Sequence, residues 1–365
     1  MKPTASISSL QLFFFILQSQ IGISILSMPY ATFKIAKTDS WLVVILSGFV
    51  VQVFILIIWI LGTRFPNCTI FEIQEKIVGK KIGKVITGAY IIYFLLATSL
   101  FLSIFSNIIK VWLLPTTPSW LLTLLMLGIS IYMVKENLQI LSRFFVLTAI
   151  LFVLFLVLIF YSFKQANILH IFPIGKVGGW AIVKGMWQEI QSFLGFEMLL
   201  ILFPYVKTSN IMKLKLTTYA NICTTCFYTL LTFACLLFFS PDEMAYIPQP
   251  VLYATKSFEL SMMERPDIVF TSTWIVIVTS TIMAFLYAAS KGMTYMLSQY
   301  HRKAYTYWGA GVIFIITTVC NKPFWIPILS TFVSTSGLIL AGGMPTLLLL
   351  LSLLLKQAEQ PGDML

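Results

Sequence analysis

The chain has 365 residues, of which 24 are basic and 13 acidic, so about 10% carry charge, against roughly 25% in an ordinary soluble domain. Hydrophobic residues make up 59% and aromatic ones 15%, with a mean hydropathy of +0.93. One core could not hide that much apolar surface from water, so the solvent for most of the chain is lipid. The net charge of +11 would suggest nucleic acid in a soluble protein. Here the Lys and Arg stand in short clusters between apolar runs, where they orient a membrane protein and meet anionic headgroups, so no nucleic-acid partner is expected. Five Cys, an odd number with four in apolar runs, argue against a disulfide framework. Cys223 and Cys226 have a CxxC spacing but no second Cys or His pair beside them.

A spanning helix needs about 20 mainly apolar residues. That window finds ten segments, at 8–33, 41–63, 85–113, 119–134, 144–163, 181–205, 214–239, 268–290, 307–321 and 326–355. The expected fold class is therefore an all-α membrane protein forming a single transmembrane domain over 1–365. Segment one follows a short polar start without an A-x-A site and carries Gly and Gln, which reads as a retained helix, not a signal peptide. Pro115 and Pro118 mark the turn between segments three and four, and Pro323 and Pro327 that between nine and ten. With the amino terminus in the cytoplasm, 15 of the 24 basic residues, from Lys2 to Lys356, fall on the inner side, so both termini are expected there.

Two loops carry structure of their own. In 70–85, Ile70, Ile73, Ile77, Val78, Ile82 and Val85 recur near helical spacing while Lys76, Lys80, Lys81 and Lys84 take other positions. That pattern predicts a helix lying in the headgroup layer. Residues 240–267 mix Pro241, Pro248 and Pro250 with Tyr253 and Phe258, too apolar for a free tether and suited to cap the outer mouth.

Segment one contains Gln18-Ser19-Gln20-Ile21-Gly22-Ile23-Ser24 followed by Pro29-Tyr30. Segment six contains Gln191-Ser192-Phe193-Leu194-Gly195-Phe196-Glu197 followed by Pro204-Tyr205. Both read Q-S-x-x-G with a downstream P-Y, and they open segments one and six of ten, so the halves run in opposite senses. This predicts a 5+5 inverted repeat, 8–163 and 181–355, with broken helices one and six. A broken helix leaves N–H and C=O groups unpaired, tolerable in a membrane where they line a cavity or meet a ligand. Two facing breaks offer positive helix ends to a carboxylate and carbonyls to an ammonium group or cation, which suits a zwitterionic amino acid. Small sugars or nucleosides would find hydrogen bonds there too. A carboxylate at bilayer depth costs roughly 2.5–3.5 kcal/mol, so Glu197 joins Gly22, Ile23, Ser24, Ile25, Gly195 and Phe196 as a candidate ligand-binding residue. Gly22 is expected to be the most sensitive to substitution. Tyr93 and Tyr287 place phenols at membrane depth, where each OH seeks either a packed carbonyl or the pocket.

Gly22-Ile23-Ser24-Ile25-Leu26-Ser27-Met28-Pro29, Phe193-Leu194-Gly195-Phe196-Glu197 with Phe203-Pro204-Tyr205, and Glu264-Arg265-Pro266-Asp267 together resemble the B subunit of the spore germinant receptors. The resemblance covers essentially the whole chain, including length and segment count; Ser24 stands where that family often has a second glycine, and Pro266 where a Leu is usual. It implies the leucine-transporter fold of the amino acid, polyamine and organocation superfamily, the spore inner membrane of an endospore-forming bacterium, and partnership with A and C subunits. It also implies that segments three and eight flank the broken helices, bringing Tyr93 and Tyr287 to the pocket. The expected function is a membrane subunit that binds a small nutrient germinant and triggers germination. A proton- or cation-coupled amino acid transporter is the alternative, with Thr279-Ser280-Thr281 either an ion site or a plain hydrogen-bonded helix.

No G-x-x-x-x-G-K-[ST] loop is present, so ATP hydrolysis is not expected. His170 and His301 fall in loops predicted on opposite faces, which gives no His-based catalytic or zinc centre. The sequence calls for no enzyme activity, metal or cofactor.

Overall fold

The computed structural model describes residues 6–257, 265–297, 302–322 and 324–359. Lys2, Phe258, Glu264, His301 and Pro323 lie outside the described residues. Among the described residues the architecture is helical, with no strand beyond an isolated bridge between Ile7 and Val206.

Each predicted segment falls on helix, and six helical stretches are long and apolar enough to cross a membrane. Helix Ser40–Arg64 is apolar almost all round, as a helix embedded in lipid and protein must be. The first segment opens with a capping box, the Gln11 side chain accepting from the Ser8 N–H at 2.8 Å and the Ser8 hydroxyl accepting from the Gln11 N–H at 3.3 Å. It runs as Ser9–Gln20, stops, and resumes as a 3₁₀ turn Ile23–Leu26 and helix Met28–Ala36. The sixth runs as Gly179–Glu189 and Ile190–Phe193, stops, and resumes as Phe196–Met198, Leu199–Leu202 and Phe203–Tyr205.

Helices five segments apart in sequence are packing partners. Lys80–Trp112 lies against Pro266–Met296, Ser40–Arg64 against Asn210–Phe238, and Ser119–Val134 against Arg302–Cys320. The two broken helices pass through the centre of this frame, Ser9–Gln20 resting on Asn210–Phe238 and on Pro266–Met296. On the amino-terminal side the frame is tied shut. The Ile7 N–H donates to the Tyr205 carbonyl at 2.9 Å and the Lys207 N–H to the Ile7 carbonyl at 3.2 Å. Arg302 donates to the carbonyls of Val134, Lys135 and Glu136 at 2.6, 3.2 and 2.5 Å, closing the end of a neighbouring helix.

One loop expectation needs correction. The stretch 70–85 is not one helix in the headgroup layer: helix Ile70–Val78 ends at Gly79, whose φ of 86° turns the chain, and Lys80 opens the next helix. The apolar face of Ile70, Phe71, Ile73 and Ile77 is buried on protein. A side chain at Gly83 would come within 2.7 Å of the Glu75 backbone, so the two helices close on each other. In 240–267, short helices Pro241–Met244 and Pro250–Lys256 form, the second packed on Pro266–Met296 and over the turn Ile23–Leu26. Asp39, buried at the far end of the first broken helix, accepts from the N–H groups of Gly175 and Val177 at 2.8 and 3.4 Å and pins the loop that precedes segment six.

Candidate functional site

The two breaks touch. At Gly195 the backbone takes φ 127°, and a Cβ there would stand 2.3 Å from the Ser19 carbonyl oxygen and 2.7 Å from the Gln20 nitrogen. Only a glycine lets the second interruption lie directly on the first.

The carbonyls freed where Ser9–Gln20 ends are met by side chains of neighbouring helices. Thr281 donates its hydroxyl to the Gln18 carbonyl at 2.9 Å, and Tyr228 donates to the Gln20 carbonyl at 2.9 Å and to that of Ser192 at 3.3 Å. Tyr228 thus joins both broken helices. Gln18 is fixed by its amide donating to the Phe145 carbonyl at 2.5 Å and by the Thr148 hydroxyl donating to it at 3.0 Å. Gln20 meets Asn221 at 3.4 Å and Thr224 at 3.3 Å. The polar residues crowded around Gly22 therefore complete the hydrogen bonding that the interruption costs the helix.

Glu197 does the same at the second break. It is 1% exposed; one carboxyl oxygen accepts from the Gly195 N–H at 2.6 Å and the other from the Tyr93 hydroxyl at 2.8 Å. The positive start of the resumed helix is thereby covered by the chain's own carboxylate. The corresponding start of the first helix differs: Gly22 precedes the turn Ile23–Leu26 with no side chain capping it.

A cavity of about 220 Å³ opens beside that uncapped turn. Ser19, Gln20, Gly22, Ile23 and Ser24 line it from the first broken helix, Gln188, Gln191, Ser192 and Leu194 from the sixth segment, and Tyr93 and Thr281 from the flanking helices. Leu100, Phe101, Ile104 and Val333 add an apolar wall, with Ser330 and Ser334 beside it. The volume lies below the roughly 300–1,000 Å³ of sites for drug-sized ligands. This is space for a small solute, with backbone N–H groups and hydroxyls on one side and hydrocarbon on the other.

Of the sequence candidates, Gly22, Ile23, Ser24 and Tyr93 line the cavity. Gly195 and Glu197 stand behind it and build the wall. Ile25 is fully buried, and Phe196, also fully buried, stacks on Phe54 at 6.1 Å between ring centroids. Neither contributes to the lining. Tyr287 is not brought to the cavity; its ring faces the Arg302 guanidinium 5.3 Å away, toward the tied amino-terminal side. Thr279 and Ser280 bond carbonyls of their own helix. The sequence reading missed Gln188, Ser330, Ser334 and the buried Glu189. Glu189 had a visible signal, an acidic residue inside an apolar segment two positions before Gln191-Ser192. No group of three or more His, Cys, Asp or Glu residues suited to a metal occurs among the described residues.

Interrupted helices crossing at the centre of a multi-pass helical frame, with a small polar cavity at the crossing, define a membrane protein of the transporter fold. Two solved structures share it. MHP1, a nucleobase-cation-symport-1 family transporter, superimposes with a TM-score of 0.70 at 11% identity, covering 97% of this chain and 79% of that one. MhsT in complex with L-phenylalanine gives 0.68 at 16% identity, covering 96% and 90%. The chain belongs to the spore germination protein family, whose pattern matches residues 6–324. Spore germination protein YndE of Bacillus subtilis (strain 168) is 27% identical over 365 residues, 98% of this chain and 99% of that one. Spore germination protein GerQB of Bacillus cereus is 28% identical over 287 residues, 79% of each chain.

Proposed function

We propose that this chain is the nutrient-binding membrane subunit of a spore germinant receptor and that it takes a small zwitterionic nutrient, an amino acid, in the cavity at the crossed breaks. The observation that carries the reading is the uncapped turn at Gly22, Ile23 and Ser24 opening on that cavity. Its N–H groups suit a carboxylate. The Tyr93 oxygen and the hydroxyls of Ser330 and Ser334 suit an ammonium group, and Leu100, Phe101, Ile104 and Val333 suit a short apolar side chain. Glu197, committed to Gly195 and Tyr93, shapes the site without touching the ligand. Binding of L-phenylalanine by MhsT, a protein of the same fold, supports the amino-acid class.

The pairing of helices five segments apart supports the repeat, 8–163 with 181–355, and with it ten crossings that leave both termini on one side; the excess of basic residues there supports the cytoplasm as that side. The reading includes residence in the spore inner membrane and action with A and C subunits, which membership of the spore germination protein family supports. It is a binding function, not a catalytic one. The test is purified chain in liposomes, assayed for binding and for uptake of labelled amino acids. Saturable binding abolished by Gly22→Leu, without uptake, is the expected result. Uptake by the chain alone would favour a transporter, and binding unaffected by Gly22→Leu would move the site elsewhere.

A further inference from the structure

Behind the cavity wall the outer halves of the two broken helices meet at one buried contact. Glu189, the last residue of Gly179–Glu189, and Thr32, in Met28–Ala36, are 1% and 0% exposed. The Thr32 oxygen lies 2.5 Å from Glu189 Oε2 and 3.0 Å from the Met28 carbonyl. A threonine hydroxyl has one hydrogen, so facing an ionised carboxylate it could serve only one of these two acceptors, the Glu189 oxygen or the Met28 carbonyl. A neutral carboxyl group supplies a second hydrogen and lets both contacts form at once, its O–H donating to Thr32 and the Thr32 hydroxyl to Met28. The other oxygen, Oε1, is buried without a hydrogen bond of good geometry, the Ser192 hydroxyl being the further donor beside the carboxyl group. As half of an ionised carboxylate it would be a bare charge out of water; as the carbonyl of a neutral acid it is tolerable.

The surroundings agree. Ion pairs among the described residues are Lys76–Glu359 and Arg265–Asp267, neither near this contact. Of the elements packed on Gly179–Glu189, helix Met28–Ala36 presents Thr32, its Lys34 being exposed, and Ser40–Arg64 presents Val43 and Ser47, its Arg64 lying at the far end. Lys184, on Glu189's own helix, is exposed. The titratable neighbour is the Tyr228 phenol, which donates to the carbonyls at the breaks.

We propose that Glu189 is a proton-binding site, distinct from the ligand cavity, whose proton latches the outer halves of the two broken helices together through Thr32. On loss of that proton the single Thr32 hydrogen must serve either the Met28 carbonyl or the carboxylate, and the remaining carboxylate lone pairs need water. The nearest polar space is the cavity lined by the flanking Gln188, Gln191 and Ser192. The proton and the nutrient thereby act on the same wall.

The full chain in lipid nanodiscs, without any ligand, tests this. Infrared spectra at neutral pH should contain a carboxylic-acid C=O band that Glu189→Gln removes and that shifts in Thr32→Val. Spin labels at Lys34→Cys and Lys184→Cys, with Cys223 and Cys226 replaced by Ser, should move apart as pH rises through the loss of that band. In Glu189→Gln, which keeps the shape and cannot ionise, the separation should stay constant over the same range. An ionised Glu189 at neutral pH, an acid band unmoved by Thr32→Val, or an equal pH response in Glu189→Gln would each overturn the proposal. None of these readouts depends on what the cavity binds.

Discussion

At Gly195 the obstacle to a side chain is backbone, whereas at Gly22 it is another side chain. A Cβ at Gly195 would meet the Ser19 carbonyl oxygen at 2.3 Å with φ at 127°, so nothing can move aside. A Cβ at Gly22 would meet Thr281 Oγ1 at 2.4 Å, and that hydroxyl is the one bonded to Gln18. Gly195→Ala should lower the thermal unfolding midpoint further than Gly22→Ala, well beyond the roughly 1 kcal/mol of an ordinary helical exchange. Thr281→Ala should partly rescue Gly22→Ala and leave Gly195→Ala unrelieved. The Glu197–Tyr93 bond makes a second residue-level prediction. Glu197→Gln and Tyr93→Phe remove the same interaction, so a double-mutant cycle on unfolding should show a coupling of about 1.5–3 kcal/mol. No coupling would mean that Glu197 does not serve the break. That a carboxylate stands at the second interruption was legible in Phe196-Glu197. Which way it points was not, because two acceptor atoms serve a backbone N–H or a ligand ammonium equally well in a one-dimensional sequence.

The helices themselves were legible because the bilayer fixes their length and the Gln-Ser-x-x-Gly pattern interrupts them. The segment 70–85 was not, since amphipathic spacing says that one face is apolar without saying whether lipid or protein covers it. The carboxyl-terminal tail shows the same gap. The Glu359 carboxylate accepts from the Asn67 N–H at 3.1 Å and meets the Cys68 thiol at 3.7 Å and Lys76 at 3.7 Å, while its own N–H donates to the Arg64 carbonyl at 2.9 Å. Arg64 donates in turn to the carbonyls of Ser352 and Gln357 at 3.0 and 2.7 Å, so the tail is strapped across the turn after helix Ser40–Arg64. Burial first, and then the Glu359 carboxylate, push the Cys68 thiol up to about 11, against the pull of Lys76. The thiol is therefore protonated and slow to alkylate at pH 7–9, reacting as the pH nears that value. In a background where Cys68 is the sole cysteine, Glu359→Gln should move the onset of alkylation to lower pH, and truncation after Leu355 should move it further by also removing cover. Unchanged alkylation in both would contradict the strap.

At the scale of the whole molecule the structure is lopsided about the crossing. The cavity lies between Met28–Ala36 and Gly179–Glu189, and the ties lie on the side of the amino terminus. The proposed cytoplasmic placement of the termini predicts the labelling pattern. A cysteine at Tyr246, 84% exposed, should react with an impermeant maleimide in intact cells, and one at Gly79 only after permeabilisation. The reverse pattern would invert the topology. The lopsidedness gives the short pairing of Ile7 with Tyr205 and Lys207 a further meaning. These two backbone bonds join the chain just before the first broken helix to the chain just after the second, so neither of these ends can swing without parting from the other. Their amide protons should trade for deuterium no faster than the floor of the molecule parts, and the isotope uptake at Ile7 and Lys207 becomes a clock for every excursion that would let a bound solute leave on the side of the amino terminus.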